Sequence, residues 1–150
     1  MNASWMHPIR RGSNQAFLEE HQRRHRCFVL TDTQVAEALD LKLDPAYSMV
    51  LPPGEASKSL ETCHAIWERL IALPLGRDGW ILGIGGGVIT DLAGFVGGVY
   101  LRGVPVGLVA TSLMAQVDAA LGGKNGVNAG GFKNMLGMIR APRWVCCDPA

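Results

Sequence analysis

The chain has 150 residues, 48% of them hydrophobic and 18% charged, with a formal net charge of +1. That length and apolar content support one folded domain with a sizeable core and exclude disorder along the whole chain. The near-zero charge excludes a broad nucleic-acid footprint and offers an anionic membrane no attraction.

Residues 1–16 include Pro8, Arg10, Arg11, Gly12, Ser13 and Asn14 and read as an irregular arm. Residues 16–26 favour a helix, with His21 and His25 four apart on one face. Such a pair can bind a metal, but no third ligand accompanies it, and Gln22, Arg23 and Arg24 describe a solvated face. Residues 26–32 (RCFVLTD) read as the first buried strand, ending in a polar tip. Ligands of open parallel sheets bind beyond the carboxyl ends of the strands. Asp32 and Gln34 are therefore candidates for contacts to a cofactor ribose; alternatively, Asp32 or Thr33 caps a helix over 34–43. A second strand over 48–51 runs into Pro52-Pro53-Gly54-Glu55. Glu55 and Lys58 stand before a helix whose Leu60, Cys63, Ile66 or Trp67, Leu70 and Ile71 form an inward stripe. His64 lies beside that stripe and reads as packed or exposed rather than catalytic.

From Trp80 an apolar run meets Gly85-Gly86-Gly87 and then a stretch of helical spacing. Strand, glycine turn and helix in that order leave helix-start amides unpaired, and with the helix dipole they suit a phosphate or diphosphate. A tight structural turn is the competing reading. The G-x-G-x-x-G series begun at Gly83 and Gly85 meets Val88 in its third place, and no acidic residue follows roughly 20 residues on. Residues 79–99 have the length of a membrane span, but Asp91 and the glycines argue against one. Gly94, Gly97 and Gly98 permit the close approach of another backbone. Residues 104–109 form an unbroken apolar run, as in a strand covered on both faces. Thr111 and Ser112 then stand ready to cap a helix over 113–121. Strands and helices alternating through short links predict a doubly wound α/β fold with a mostly parallel, Rossmann-like sheet.

A second glycine-rich segment over 121–134 holds Lys124 and Lys133 with Asn125, Asn128 and Asn134. Val127, Phe132, Met135 and Leu136 predict that this loop is packed, with its ammonium and amide groups aimed at an anionic, hydroxylated small molecule. A solvated loop is the alternative. Asp118 is an internal partner for the lysines or simply a helix charge. Cys27, Cys63, Cys146 and Cys147 have neither CxxC nor zinc spacing and read as buried thiols of a reducing, cytoplasmic compartment. No apolar signal-peptide core opens the chain.

The segments GGGVITDLAGF, YLRGV, ATSLMAQVDAALGGKNGVN and FKNMLG resemble the N-terminal domain of 3-dehydroquinate synthase, of the sugar-phosphate cyclase superfamily, with coverage over about 26–149. The resemblance implies NAD bound between an N-terminal α/β domain and a helical C-terminal domain. It also implies cyclisation of 3-deoxy-D-arabino-heptulosonate 7-phosphate through oxidation, phosphate elimination, reduction and ring closure, as part of the shikimate pathway to the aromatic amino acids. By motif, Asp32 and Gln34 would hold the adenosine ribose, with Glu55 and Lys58 beside it. Gly86, Gly87 and Val88 would meet the diphosphate, with Asp91 nearby and Thr111 and Ser112 continuing the cofactor wall. Asp118, Lys124, Lys133 and Asn134 fall on active-site positions, and Arg102 on an arginine that reaches the substrate of a neighbouring subunit in a homodimer. The family's divalent metal, zinc or cobalt, is held by a glutamate and two histidines of the helical domain; none of His7, His21, His25 or His64 fits those places. The expected division is an irregular or helical segment over 1–25 and an NAD-binding α/β domain over 26–150, with the helical domain absent. Three consequences are expected of the 150 residues alone: no turnover, an exposed apolar docking face, and self-association. Another sugar-phosphate cyclase, or a non-catalytic nucleotide-binding module, is the alternative.

Overall fold

A computed structural model describes residues 9–11 and 14–147. Six strands form one parallel sheet: β1 (Ile9–Arg11), β2 (Cys27–Asp32), β3 (Ser48–Leu51), β4 (Trp80–Gly85), β5 (Val106–Ala110) and β8 (Trp144–Cys147), in the spatial order β1-β8-β5-β4-β2-β3. Two further strands, β6 (Lys124–Ala129) and β7 (Phe132–Ile139), make a separate antiparallel hairpin. Side chains of the parallel strands alternate between two cores, as a period of two requires. Phe28, Leu30, Ile81, Leu108 and Val145 join one core, which holds Cys63, Ile66 and Leu70 of α3 (Leu60–Ile71) and Ile89, Leu92 and Val96 of α4 (Gly87–Val99). Val29, Leu82, Ile84, Val109 and Cys146 join the other, under Leu18 of α1 (Asn14–Arg24) and Val35 of α2 (Thr33–Ala38). Helices thus cover both faces, and the doubly wound α/β reading holds.

The chain leaves β2 for β3 on one side but leaves β4 for β5 on the other. The winding therefore reverses between the neighbours β2 and β4, and their carboxyl ends, Asp32 and Gly85, open the crevice where such sheets bind ligands. Close packing around α4 is possible because side chains are missing. A Cβ on Gly83 would stand 2.6 Å from that of Ala93, so α4 lies directly on the sheet. On its other side the hairpin presses Asn125 against Gly94, where a Cβ would collide with the amide.

Several expectations are corrected. The irregular arm contains β1, whose three residues pair with the edge of β8 and satisfy part of an otherwise open strand; Pro8, Gly12, Ser13 and His7 lie outside the described residues. The helix expected over 34–43 stops at Ala38, because Asp40 takes a left-handed φ of 47°. On α3 the stripe narrows to Cys63, Ile66 and Leu70, leaving Leu60 and Ile71 exposed. The helix expected over 113–121 is helical over 113–119, where Ala115–Ala119 is π-helical rather than α-helical. The segment 121–134 is a hairpin rather than a loop: Gly130 and Gly131, at φ 60° and 80°, make the tight turn that a two-residue hairpin link needs. Of its apolar residues only Val127 is buried, whereas Phe132, Met135 and Leu136 are exposed.

Candidate functional site

The crevice is floored by the start of α4. Gly86 is its N-cap, no side chain caps it, and its first intrahelical bond runs from Thr90 N–H to Gly86 O at 3.0 Å. First-turn amides therefore face outward past the sheet edge, with the positive end of the helix dipole behind them. A Cβ added at Gly86 would stand 3.3 Å from Ser112 Oγ, so the glycine keeps the corner between β4 and β5 open. Ser112 accepts a hydrogen bond from Ala115 N–H at 3.3 Å, which makes it the expected cap of the next turn, and Thr111 N–H donates to Gly85 O at 3.0 Å. At the end of β2, Asp32 is half-buried and accepts from Val35 N–H at 2.9 Å. It caps α2 through one carboxylate oxygen. Gln34 is exposed two residues on, in the first turn of α2.

Beside the corner lies a cluster of charged and amide groups. Lys58 is only 5% exposed. Its Nζ donates to Asp91 Oδ2 and, at 2.5 Å, to Asn134 Oδ1. Burial raises the Asp91 carboxyl above the usual aspartate range; Lys58 pulls it back, and the charges of Glu55 and Asp118 push it up further. Asn128 donates through Nδ2 to Glu55 Oε1 at 3.0 Å and accepts from Asn134 N–H at 2.9 Å. Lys124 stands 3.9 Å from Asp118, both exposed. These groups border an open cavity of about 470 Å³ lined by Asp91, Asp118, Lys124, Asn134, Met135 and Ile139 among others.

The predicted residues thus fall into two sets and a remainder. Asp32, Gly86, Gly87, Val88, Thr111 and Ser112 share the carboxyl edge of the sheet. Glu55, Lys58, Asp91, Asp118, Lys124 and Asn134 gather between that edge and the hairpin. Arg102 joins neither: it is exposed past the far end of α4, a helix of 13 residues and about 20 Å. Lys133 is exposed on β7. Among the hairpin amides, Asn125 corrects the expectation of a ligand-facing group. It is buried and donates to Gly123 O at 3.0 Å and Arg140 O at 2.7 Å. Asn128 is named in the sequence only as one of three loop amides, and its place between Glu55 and Asn134 is what the structure adds. Neither His21 nor His25 is near the site: both rings pack with Trp80 at the opposite, amino end of β4. His64 is exposed and stands 3.6 Å from Glu68. Among the described residues no group of three His, Cys, Asp or Glu could hold a metal ion.

Residues 48–150 match the family model described as 3-dehydroquinate synthase N-terminal. A 3-dehydroquinate synthase of Thermococcus kodakarensis is 48% identical over 85% of this chain, and a 2-epi-valiolone synthase of Stigmatella aurantiaca is 45% identical over 71% of it. A solved 2-deoxy-scyllo-inosose synthase, complexed with carbaglucose-6-phosphate, NAD+ and Co2+, superposes with a TM-score of 0.77 at 29% identity over 93% of this chain. The chain spans 38% of the Thermococcus relative, 26% of the Stigmatella relative and 42% of that solved chain. An open glycine corner, a lysine-bearing hairpin beside it and a family match over two-thirds of the residues lead to one conclusion: the chain belongs to the 3-dehydroquinate synthase N-terminal family.

Proposed function

We propose that the chain is the NAD-binding side of a sugar-phosphate cyclase acting on 3-deoxy-D-arabino-heptulosonate 7-phosphate, a phosphate-eliminating lyase that forms 3-dehydroquinate. The observation that carries this is the uncapped start of α4 at the winding reversal, kept open by Gly86. Bound there, NAD+ would supply reversible hydride transfer at a substrate hydroxyl. The amides of Gly86, Gly87 and Val88 hold the diphosphate. Asp32 and Gln34 hold the adenosine ribose. Glu55, Lys58 and Asp91 meet the cofactor further along the crevice, and Thr111 and Ser112 form its wall. On the hairpin side Lys124 and Lys133 attract the substrate's phosphate and carboxylate, and Asn134 and Asp118 orient its hydroxyls. Arg102, remote from this cavity, serves a neighbouring subunit of a homodimer. The described residues offer no group that fits the family's divalent metal.

Cys27 and Cys63, buried thiols, support a reducing, cytoplasmic setting, and no helix among the described residues is long and apolar enough to cross a membrane. The 45% identity to a 2-epi-valiolone synthase supports a second reading, a cyclase for a different phosphorylated or hydroxylated sugar. Since the chain spans 38% of the Thermococcus relative, the 150 residues alone are expected to bind NAD+ without completing the cyclisation. Calorimetric titration of NAD+ tests the cofactor half of the proposal. Gly86→Val sets a branched side chain among the diphosphate donors, and losing even one charge-assisted hydrogen bond weakens binding about tenfold or more. Unchanged affinity in that variant would overturn the reading.

A further inference from the structure

We infer that Asn128 is a positioning residue that ties the cofactor-side segment Glu55–Lys58 to the substrate-side Asn134. The inference rests on the NAD-binding reading for what the two sides hold, and on this chain's own geometry for the tie.

The hairpin register is broken at this point. Val127 pairs with Leu136 and Ala129 with Phe132, so Asn128 alone faces Lys133, Asn134 and Met135. Such a bulge releases backbone groups from the ladder and re-aims the side chains of the longer strand. Asn128 takes up what the bulge releases. Its own N–H donates outward, to Lys58 O at 2.9 Å, and makes a parallel bridge with Ser59. Its Oδ1 accepts the N–H of Asn134 at 2.9 Å. Its Nδ2 reaches Glu55 Oε1 at 3.0 Å.

Asn134 needs this support. Its φ of 52° is a left-handed conformation that asparagine tolerates but does not prefer. Held there, it turns Oδ1 onto the buried Lys58 ammonium at 2.5 Å. Asn128 therefore fixes the backbone of Lys58 with its own N–H, and Glu55 and the conformation of Asn134 with its side chain. An asparagine suits the position because one amide supplies both an acceptor and a donor. Aspartate keeps only the acceptor and sets a second carboxylate against Glu55.

Amide hydrogen exchange of the 150-residue chain, read by NMR beside NAD+ calorimetry, tests the assignment. In Asn128→Ala the Asn134 amide is expected to exchange about five- to tenfold faster, the loss of one hydrogen bond. The ladder amides of Val127 and Leu136 should be unchanged, and NAD+ should bind several-fold more weakly. In Asn128→Asp the Asn134 amide should stay protected while NAD+ affinity falls at neutral pH and recovers as pH drops toward the carboxylate range. Should the alanine variant unfold, the aspartate variant decides alone through that pH dependence. An Asn134 amide indifferent to both substitutions, a loss spread evenly along the hairpin, or a pH-independent defect in the aspartate variant would each overturn the assignment. If NAD+ fails to bind the unaltered chain, the functional proposal falls. The exchange pattern still decides whether Asn128 holds Asn134.

Discussion

Lys58, which the resemblance places beside a cofactor ribose without giving its surroundings, is 5% exposed and spends its charge on Asp91 and Asn134. A buried ion pair is weak evidence for stability, because desolvation offsets its attraction. Removing one partner is far worse. Lys58→Met leaves the Asp91 carboxylate buried and uncompensated, and a loss of about 3–5 kcal/mol is expected in urea unfolding at neutral pH. Lys58→Met with Asp91→Leu removes both charges and should unfold near the unaltered chain or above it, while NAD+ binding is lost. The pH dependence has a definite sign. Burial raises the Asp91 carboxyl above its ordinary value, so folding favours the protonated form. Its contribution is full below pH 3.8, the ordinary value, and is lost as pH rises through the raised one. Against the double variant, the unaltered chain should therefore lose relative stability across that window, and a flat difference would refute the assignment. None of this was legible in the sequence, since Lys58 and Asp91 are 33 residues apart and meet only because the hairpin roofs them over.

The elements of the sheet were easier to read than the segments that dress it. Apolar runs such as those ending at Asp32 and Gly85 are long, branched and bounded by turn residues, so periodicity and composition agree about them. The hairpin was misread because its signals conflict. Lys124, Asn125 and Gly126 have poor strand preference, and the Gly130-Gly131 turn lies inside a longer glycine-rich stretch that also describes a loop. What makes it a hairpin is the surface beneath it: α4 lacks side chains at Gly94 and Gly98, where Asn125 and Met138 lie. The two contacts differ in kind. Asn125 is pinned by donations to Gly123 O and Arg140 O, so it cannot swing aside for a Cβ on Gly94. Met138 is flexible and half-buried, and can yield to one on Gly98. Replacing a helical glycine by alanine gains up to about 1 kcal/mol of propensity, whereas overpacking costs about 1–3. Gly94→Ala should therefore destabilise the chain by about 1–2 kcal/mol. Gly98→Ala should be neutral or stabilising, and equal effects in urea unfolding would mean that the hairpin does not rest on α4 as described.

At the scale of the molecule the surface is lopsided. The amino ends of β4 and β8 are packed by Trp80 and Trp144 under His21, while the side that carries the cavity exposes large apolar groups. Leu113, Met114 and Val117 project around the π-helical turn, and Phe132, Met135 and Ile139 project along β7, Ile139 at 88% exposure. Both segments border the cavity, through Asp118 and Ala119 on one side and Met135 and Ile139 on the other. Scattered exposed apolar residues need no explanation, but a contiguous group beside a binding site marks a surface that is covered when the protein works. In the relatives that this chain matches, most of the length lies outside the matched segment, and a complementary apolar surface is expected there. For the 150 residues in isolation the nearest such surface belongs to another copy. Analytical ultracentrifugation is expected to find concentration-dependent association in the micromolar to millimolar range typical of weak interfaces (about −4 to −8 kcal/mol). Hydrophobic contact resists salt, so raising ionic strength should leave that association intact or strengthen it. Phe132→Glu with Ile139→Glu places charge in the middle of the patch and should return the chain to monomer, with its helix and strand content unchanged by circular dichroism. Monomer at every concentration in the unaltered chain, or association that dissolves in salt, would instead mean that charge rather than apolar area governs how this face meets a partner.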